Sequence, residues 1–398
     1  MGPLEGLRVI DMGRIMAGPV CGLMLADLGA DVIKVEPLPR GDPSRRFLPP
    51  SIGDESAAYM MMNRNKRGIA VDLRTDQGRA VLWTLLATAD VLIENFRAGT
   101  MDQMNLGYDS IRDENPGIVW CEISGFGRTG PMADRGGFDL TAQGYSGLMS
   151  LTGEGPGRPP VKVGVPITDV TAGMLGALGT VAAHVRRLKT GEGQRVDTSL
   201  FEAGIAHTYW QSAITLATGT SPGPLGSAHP LSAPYEAFET SDGWINLGAS
   251  NQATWERLPE ALDLPDLATD KRFQHNAGRM EHREALAAIL QERFRQRHTA
   301  DWLDALDAAQ VPAGPLLDLE AMLEHPQTLA RQMVVTVPHL HQGDVKTIGS
   351  PVKFSATPSG VNRGAPVLGQ HTREVLAEAG YSNDEVEALE GSGAVRCV

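Results

Sequence analysis

"LRVIDMGRIMAGPVCGLMLADLGADVIKVE", residues 7–36, decides the architecture. Residues 7–12, "LRVIDM", read as a buried strand. "AGPVCGLMLADLGA" follows as a helix that packs through Leu23, Met24 and Leu28, and "DVIKVE" (31–36) is the next strand. Strand, helix and strand in so short a space make a βαβ unit, with parallel pairing and a right-handed crossover.

The alternation continues outward. "GIAVDL" (68–73) predicts a strand, "DQGRAVLWTLLATA" a helix and "DVLIENF" a strand. "YDSIRDEN" is a short helix, and "PGIVWCEISGFG" a strand running into a glycine-rich loop. This is a doubly wound, Rossmann-like α/β domain. In "VKVGVPITDVTAGMLGALGTVAAHV" (161–185) the pattern turns helical at Asp169. That helix ends near "RRLKTGEGQ", with basic residues in its last turn and Gly191 as the stop. "RVDTSL" (195–200) adds a strand and "FEAGIAHTYWQSAITLAT" a helix.

From about residue 217 the texture changes. "TGTSPGPLGSAHPLSAPYEAF" is a linker rich in Pro, Gly and Ser. Beyond it, "GWINLGAS" reads as a strand, "NQATWERLPEAL" as a helix capped by Ser250 or Asn251, and further helices follow. The predicted division is a large domain of residues 1–225 plus 331–398 and a smaller α+β domain of 226–330, with linkers near 217–234 and 331–360. Ser382 and Glu385 have capping-box spacing at the last helix.

The net charge of -13 argues against nucleic-acid and anionic-membrane partners. Three cysteines (Cys21, Cys121 and Cys397) lack paired metal spacing and suit a reducing cytoplasm. "MGPLEGLRVIDMG" lacks the pattern of a signal peptide, and no apolar run is long enough to span a membrane.

Several stretches could carry chemistry. Glu36 ends the second strand, where a ribose-binding acid would sit, but "GRIMAG" lacks the glycine pair of a dinucleotide site. A solvated strand end is the preferred reading of Glu36. The basic residues of "NRNKRG" (63–68), with Arg74 and "SRR" (44–46), suit a polyphosphate or, equally, a solvated turn. "ENFRAG" (94–99) ends a parallel strand, where open α/β sheets bind ligands, and "ISGFGRTGP" (123–131) is a flexible glycine loop. Asp169 reads first as a helix N-cap, a position that would also keep its carboxylate ionised. An ionised carboxylate held away from bulk water can be a nucleophile. The histidines, such as His184, His207 and His371, have no acid at metal or triad spacing.

Taken together, "NRNKRGIAVDL", "DVLIENFRAGTMDQMNLGYD", "ISGFGRTGP", "FDLTAQGYSGLMSLTG", "GVPITDVTAGM", "VDTSLFEA", "VPAGPLLDL" and "GSPVKFSATP", with residues 7–36, resemble the class III CoA-transferases over nearly the full chain. These are the formyl-CoA and carnitine CoA-transferase family. The resemblance implies that Asp169, with Gly164, Pro166 and Gly173, is the nucleophile that forms an aspartyl-CoA thioester. It places CoA contacts on Met16 and Ala17, on Val71, Asp72, Leu73 and Arg74, and on Asn95, Phe96 and Arg97. It also implies acyl-CoA and carboxylic acid as substrates, no tightly bound cofactor or metal, and an interlocked homodimer. Oxyanion donors are expected in the glycine loops at 125–127 and 248–249.

Formyl-CoA transferases carry glutamine at the position of Met16 and arginine at those of Pro37 and Gln103, so formyl-CoA and oxalate do not follow as substrates. Related α-methylacyl-CoA racemases use a histidine where this chain has Phe138, before Asp139, and phenylalanine cannot move a proton. A racemase or epimerase, and a non-catalytic CoA-binding protein, are the alternative readings. Arg14, Arg45 and Arg46 hint at an acyl group bearing a second carboxylate.

Overall fold

β1 (Arg8–Asp11) and β2 (Asp31–Pro37) flank α1 (Ala17–Asp27), as residues 7–36 predict. The two strands pair in parallel, with Val9 opposite Val32. The computed structural model describes residues 2–398. After β2 come α2 (Ala57–Asn63), β3 (Arg67–Val71), α3 (Asp76–Thr88), β4 (Val91–Glu94), α4 (Tyr108–Glu114) and β5 (Val119–Ser124). Next are α5 (Asp139–Tyr145), α6 (Ile167–Thr190), β6 (Arg195–Ser199) and α7 (Leu200–Ala206). Across the sheet the six strands run β3-β2-β1-β4-β5-β6, all parallel. The short strand Val395–Arg396 pairs antiparallel on the outer edge of β3. The order reverses between β1 and β4, and that reversal opens a crevice at the carboxyl ends of the strands.

Strand side chains alternate between faces, so each strand feeds two cores. Ile10, Ile33, Ile69, Leu92 and Trp120 pack with Leu82, Leu85 and Leu86 of α3 and Ile111 of α4. Val9, Val32, Val91, Val119 and Cys121 pack on the other face with Leu25 of α1 and Ala172 and Ala177 of α6. Burying an aliphatic side chain of this size contributes about 1.5–3 kcal/mol, so helices are held on both faces.

α6 lies directly on α1 because Gly173 has no side chain. A Cβ there would stand 2.7 Å from the Ala17 carbonyl oxygen and from Val20 Cβ. The helix stops at Gly191, whose φ of 76° is left-handed. The helix read over "FEAGIAHTYWQSAITLAT" is broken: α7 ends at Ala206, and a second helix runs over Tyr209–Thr218.

The chain divides into two compact units. The first takes the residues up to Leu148, with Val163–Tyr209 and Pro326–Val398, and holds the parallel sheet. The capping box at Ser382 and Glu385 is formed within it. The second unit takes Met149–Lys162 and Trp210–His325. Its antiparallel sheet orders β9 (Ala313–Pro315), β8 (Trp244–Gly248) and β7 (Tyr235–Glu239). With it come α8 (Gln252–Ala261), whose cap is Asn251, α9 (Arg283–Phe294) and α10 (Thr299–Ala308). An aromatic core of Phe238, Trp255, Phe273, Phe294 and Trp302 holds these elements, with Phe238 stacked on Phe294 at 5.1 Å between centroids.

Candidate active site

A cavity of about 510 Å³ opens at the crevice of the parallel sheet. Arg14 to Ala17 reach it from the end of β1, Asn95 to Ala98 from the end of β4, and Ser124 and Gly125 from the end of β5; Phe138 and Asp169 complete the wall. Five of the CoA contacts implied by resemblance (Met16, Ala17, Asn95, Phe96 and Arg97) therefore share one cavity with Asp169. Val71, Asp72, Leu73 and Arg74 do not line it. They run on from the last residue of β3, two strands away from β1, and Arg74 forms a 2.7 Å ion pair with Asp72.

Asp169 is not the N-cap of its helix. Pro166 occupies that position, and Asp169 is the third residue of the first turn of α6. The capping acceptor comes from another helix. Thr168 donates its N–H (2.9 Å) and its Oγ1 hydroxyl (2.8 Å) to Oδ1 of Asp139, the first residue of α5. Gln143 Nε2 donates to Asp139 Oδ2 at 2.7 Å, and Gln143 Oε1 accepts from the Val163 N–H at 2.8 Å.

The helix start does not hold Asp169 at an ordinary carboxylate acidity either. Burial, with the Asp139 charge beside it, pushes its carboxyl up to about 6. Desolvation and a like charge outweigh the helix dipole here. The group is still mainly ionised at neutral pH, and no donor among the described residues shields it. Four residues after Asp169, on the same helix face, stands Gly173, which meets Ala17 of α1. The carboxylate is thereby set beside the start of α1.

Met16 gives α1 no side-chain cap. The N–H of Ala17, first in the helix and on the cavity wall, is one of the orphan donors of a helix start. It suits a developing oxyanion. Of the glycine-loop donors expected from the sequence, two are taken, while Gly125 lines the cavity. The Gly127 N–H donates to Ser124 Oγ at 2.8 Å, and the Gly248 N–H to the Pro312 carbonyl at 2.8 Å, so both are already engaged.

The basic cluster is also engaged. Arg64 pairs with Asp27 (2.6 Å) and Lys66 with Asp11 (2.8 Å). Arg67 meets Asp31, Glu374 and Glu378. Arg45 pairs with Glu36 (2.7 Å) and Glu55, which removes it as a substrate-reading arginine. Glu36 is not a solvated strand end: it is fully buried and also accepts from Tyr59 Oη and the Asp42 N–H. On the cavity wall, Arg128 is held by Glu94 and Glu122. Arg14 instead lies over the Phe96 ring at 4.6 Å, and among the described residues neither Arg14 nor Arg97 is within ion-pair distance of an acid.

No group of three or more His, Cys, Asp or Glu among the described residues could hold a metal ion. His207 Nε2 meets Thr171 Oγ1 at 2.7 Å, and His371 Nδ1 accepts from the Gly68 N–H. Sequence reasoning missed Gln143. The i,i+4 spacing from Asp139 on one helix was the available signal.

The model of CoA-transferase family III matches residues 4–372. The chain is 38% identical to the succinate–glutarate CoA-transferase of Agrobacterium fabrum, over 94% of this chain and 95% of that protein. It is 36% identical to the human succinyl-CoA:glutarate CoA-transferase, over 99% of this chain and 90% of the other. Among solved structures, a CAIB/BAIF family protein from Brucella suis superposes with a TM-score of 0.86 at 39% identity, covering 95% of this chain and 99% of that one. With its parallel sheet, its crevice and Asp169 on the crevice wall, the chain belongs to CoA-transferase family III, the class III CoA-transferases.

Proposed function

We propose that the protein moves CoA from a dicarboxylic acyl-CoA to a second dicarboxylic acid, with Asp169 as the covalent carrier. The observation that carries this reading is the convergence of Asp169, the free start of α1 and two arginines without acid partners on one crevice. The thioester carbonyl sits near the Ala17 N–H. The Asp169 carboxylate attacks it and expels CoA thiolate, leaving a mixed anhydride. The thiolate then attacks the aspartyl carbonyl; the donor acid leaves and an aspartyl-CoA thioester remains. The acceptor carboxylate reverses the two steps. Each attack passes through an oxyanion, which an N–H donor in a dry site stabilises. Water must be excluded, because it would hydrolyse the anhydride.

The Asp139 carboxylate lies near Asp169 and takes up the donors of Thr168 and Gln143. The nucleophile is thereby left unsolvated by donors. Arg14 and Arg97 favour anionic ligands, which fits the diphosphate of CoA and acyl groups with a second carboxylate. The relatives named for succinate and glutarate point the same way. Strands lie about 4.8 Å apart, so the end of β3 is on the order of 10 Å from that of β1. Val71 to Arg74 are within reach of the nucleotide end of CoA on this reading.

A homodimer completes the proposal, with interlocked chains as the resemblance implies. Met174, Leu178, Val185 and Leu188 leave an apolar stripe exposed along α6, a surface suited to a second copy. A cytoplasmic location fits the three free thiols, and no helix among the described residues is long and apolar enough to cross a membrane.

Initial rates with succinyl-CoA and a panel of carboxylic acids test the reading. Ping-pong kinetics, with glutarate or another dicarboxylate preferred over monocarboxylates, is the expected result. Exchange with no acid in the panel contradicts it.

A further inference from the structure

The loop from Gly13 to Met16, which forms one wall of the cavity, is an uncommon piece of backbone. Ile15 has a φ of 66°, a conformation that costs a β-branched residue energy and persists only when its surroundings impose it. Those surroundings are four side chains from outside the loop. The Ile15 N–H donates to both oxygens of Asp42, at 3.1 and 3.2 Å. Lys34 Nζ donates to the Gly13 carbonyl and pairs with Asp42 Oδ2 at 3.1 Å. Asn95 clamps Arg14 at both ends: its Oδ1 accepts from the Arg14 N–H at 2.8 Å, and its Nδ2 donates to the Arg14 carbonyl at 2.9 Å. The Gly13 N–H donates to Asp11 Oδ1 at 2.8 Å.

Lys34 and Asp42 are each 1% exposed, and the Lys66–Asp11 pair beside them is wholly buried. Asp42 also accepts from the Ser44 N–H and hydroxyl, and with Lys34 these bonds hold its carboxyl down at about 2 despite burial. A buried ion pair is weak evidence for stability, since apolar residues of similar volume are often at least as stabilising. What this pair does specifically is fix two backbone atoms of the loop.

We infer that Lys34 and Asp42 are positioning residues for CoA transfer, holding Ile15 in its left-handed conformation so that the start of α1 presents Ala17 to the reacting acyl group. Neither residue touches the cavity. They act through the loop, and a misplacement near 1 Å at a reacting centre can cost on the order of 10²-fold in rate. The inference rests on the function proposed above, but its effect on the loop is separate from the chemistry.

The test compares Asp42→Asn with Asp27→Asn. The second weakens another buried ion pair, Asp27–Arg64, whose side-chain hydrogen bonds go to Met61, Asn65 and each other rather than to residues 13–16. Backbone hydrogen exchange over residues 13–18 should rise in Asp42→Asn and stay unchanged in Asp27→Asn. The kcat of Asp42→Asn should fall about 100-fold, more than any change in KM, while the control keeps its kcat. Adding Ile15→Gly, which removes the steric cost of positive φ, should restore about tenfold of the loss. Lys34→Gln, which keeps a donor for Gly13, should act in the same direction more weakly and serves if Asp42→Asn does not fold. Unchanged exchange over 13–18 in both frame variants, or equal kcat losses in frame and control variants, would overturn the inference. A wild-type protein without transferase activity would instead sink the proposed function, and the exchange data alone would then decide the claim about the loop.

Discussion

The basic stretch at 63–68 and the crevice loops at 14–17 and 95–97 make a contrast in how a sequence displays charge. The first carries Arg64, Lys66 and Arg67 within four residues and looks like an anion site. In the fold these three cations meet Asp27, Asp11, Asp31, Glu374 and Glu378, and they serve the interior and the edge of the sheet. The second shows only isolated arginines, Arg14 and Arg97. Both reach the crevice, and no acid pairs with them among the described residues. Density of charge along the chain says little about availability. Position at the carboxyl end of a strand beside a topological switch says more.

The largest expected effect comes from the sparse region. Arg14→Ala with Arg97→Ala should raise the KM for acyl-CoA by about 100-fold, as expected for two charge-assisted contacts, with little change in the denaturant midpoint. An unchanged KM would erase the contrast.

Next in size is the pH dependence. On the proposed mechanism Asp169 must be ionised to attack, and its carboxyl is pushed up to about 6. The rate should be level above pH 7 and fall as pH drops through about 6, leaving about a tenth at pH 5. A rate level down to pH 5 would mean that Asp139 and burial do not set the acidity of the nucleophile.

In the dense region the effect should fall on stability. Arg67→Ala removes the partner of three carboxylates at the sheet edge. A loss of about 2 kcal/mol is expected from urea denaturation, with kcat/KM of the folded protein unchanged.

The smallest effect has the opposite sign. Because the folded acidity of Asp169 lies above its ordinary value of 3.8, the ionised group disfavours the folded state above pH 6. That penalty fades as pH falls towards 3.8. Asp169→Asn should therefore stabilise the protein at pH 7.5 by about 1–2 kcal/mol, less than the full shift implies because the carboxylate keeps some contact with solvent. The gain should vanish near pH 4.

Much of the fold could be read from residues 7–36 and the strands after them, because apolar runs and short helical intervals are local signals. The loop at Asn95 to Arg97 could be read for the same reason, whereas Met16 and Ala17 came from the family resemblance alone; the fold brings all five to one cavity wall. The setting of Asp169 could not. Asp139 lies 29 residues before Thr168 in the chain, and only the packing of α5 beside α6 brings its carboxylate to the helix start. A cap is sought in the residues just before a helix, so an acceptor borrowed from elsewhere goes unseen. The burial of Glu36 and Arg45 was hidden likewise, since each looks solvated until the other, with Tyr59, is folded against it.

The central claim is that Asp169 carries CoA. Incubating the protein with succinyl-CoA, trapping with hydroxylamine or borohydride and mapping the modified peptide by mass spectrometry tests it most directly. The account predicts one modified site, Asp169, formed before any acceptor acid is added and absent from Asp169→Asn. Modification elsewhere, or an Asp169→Ala protein that still exchanges CoA, would contradict it.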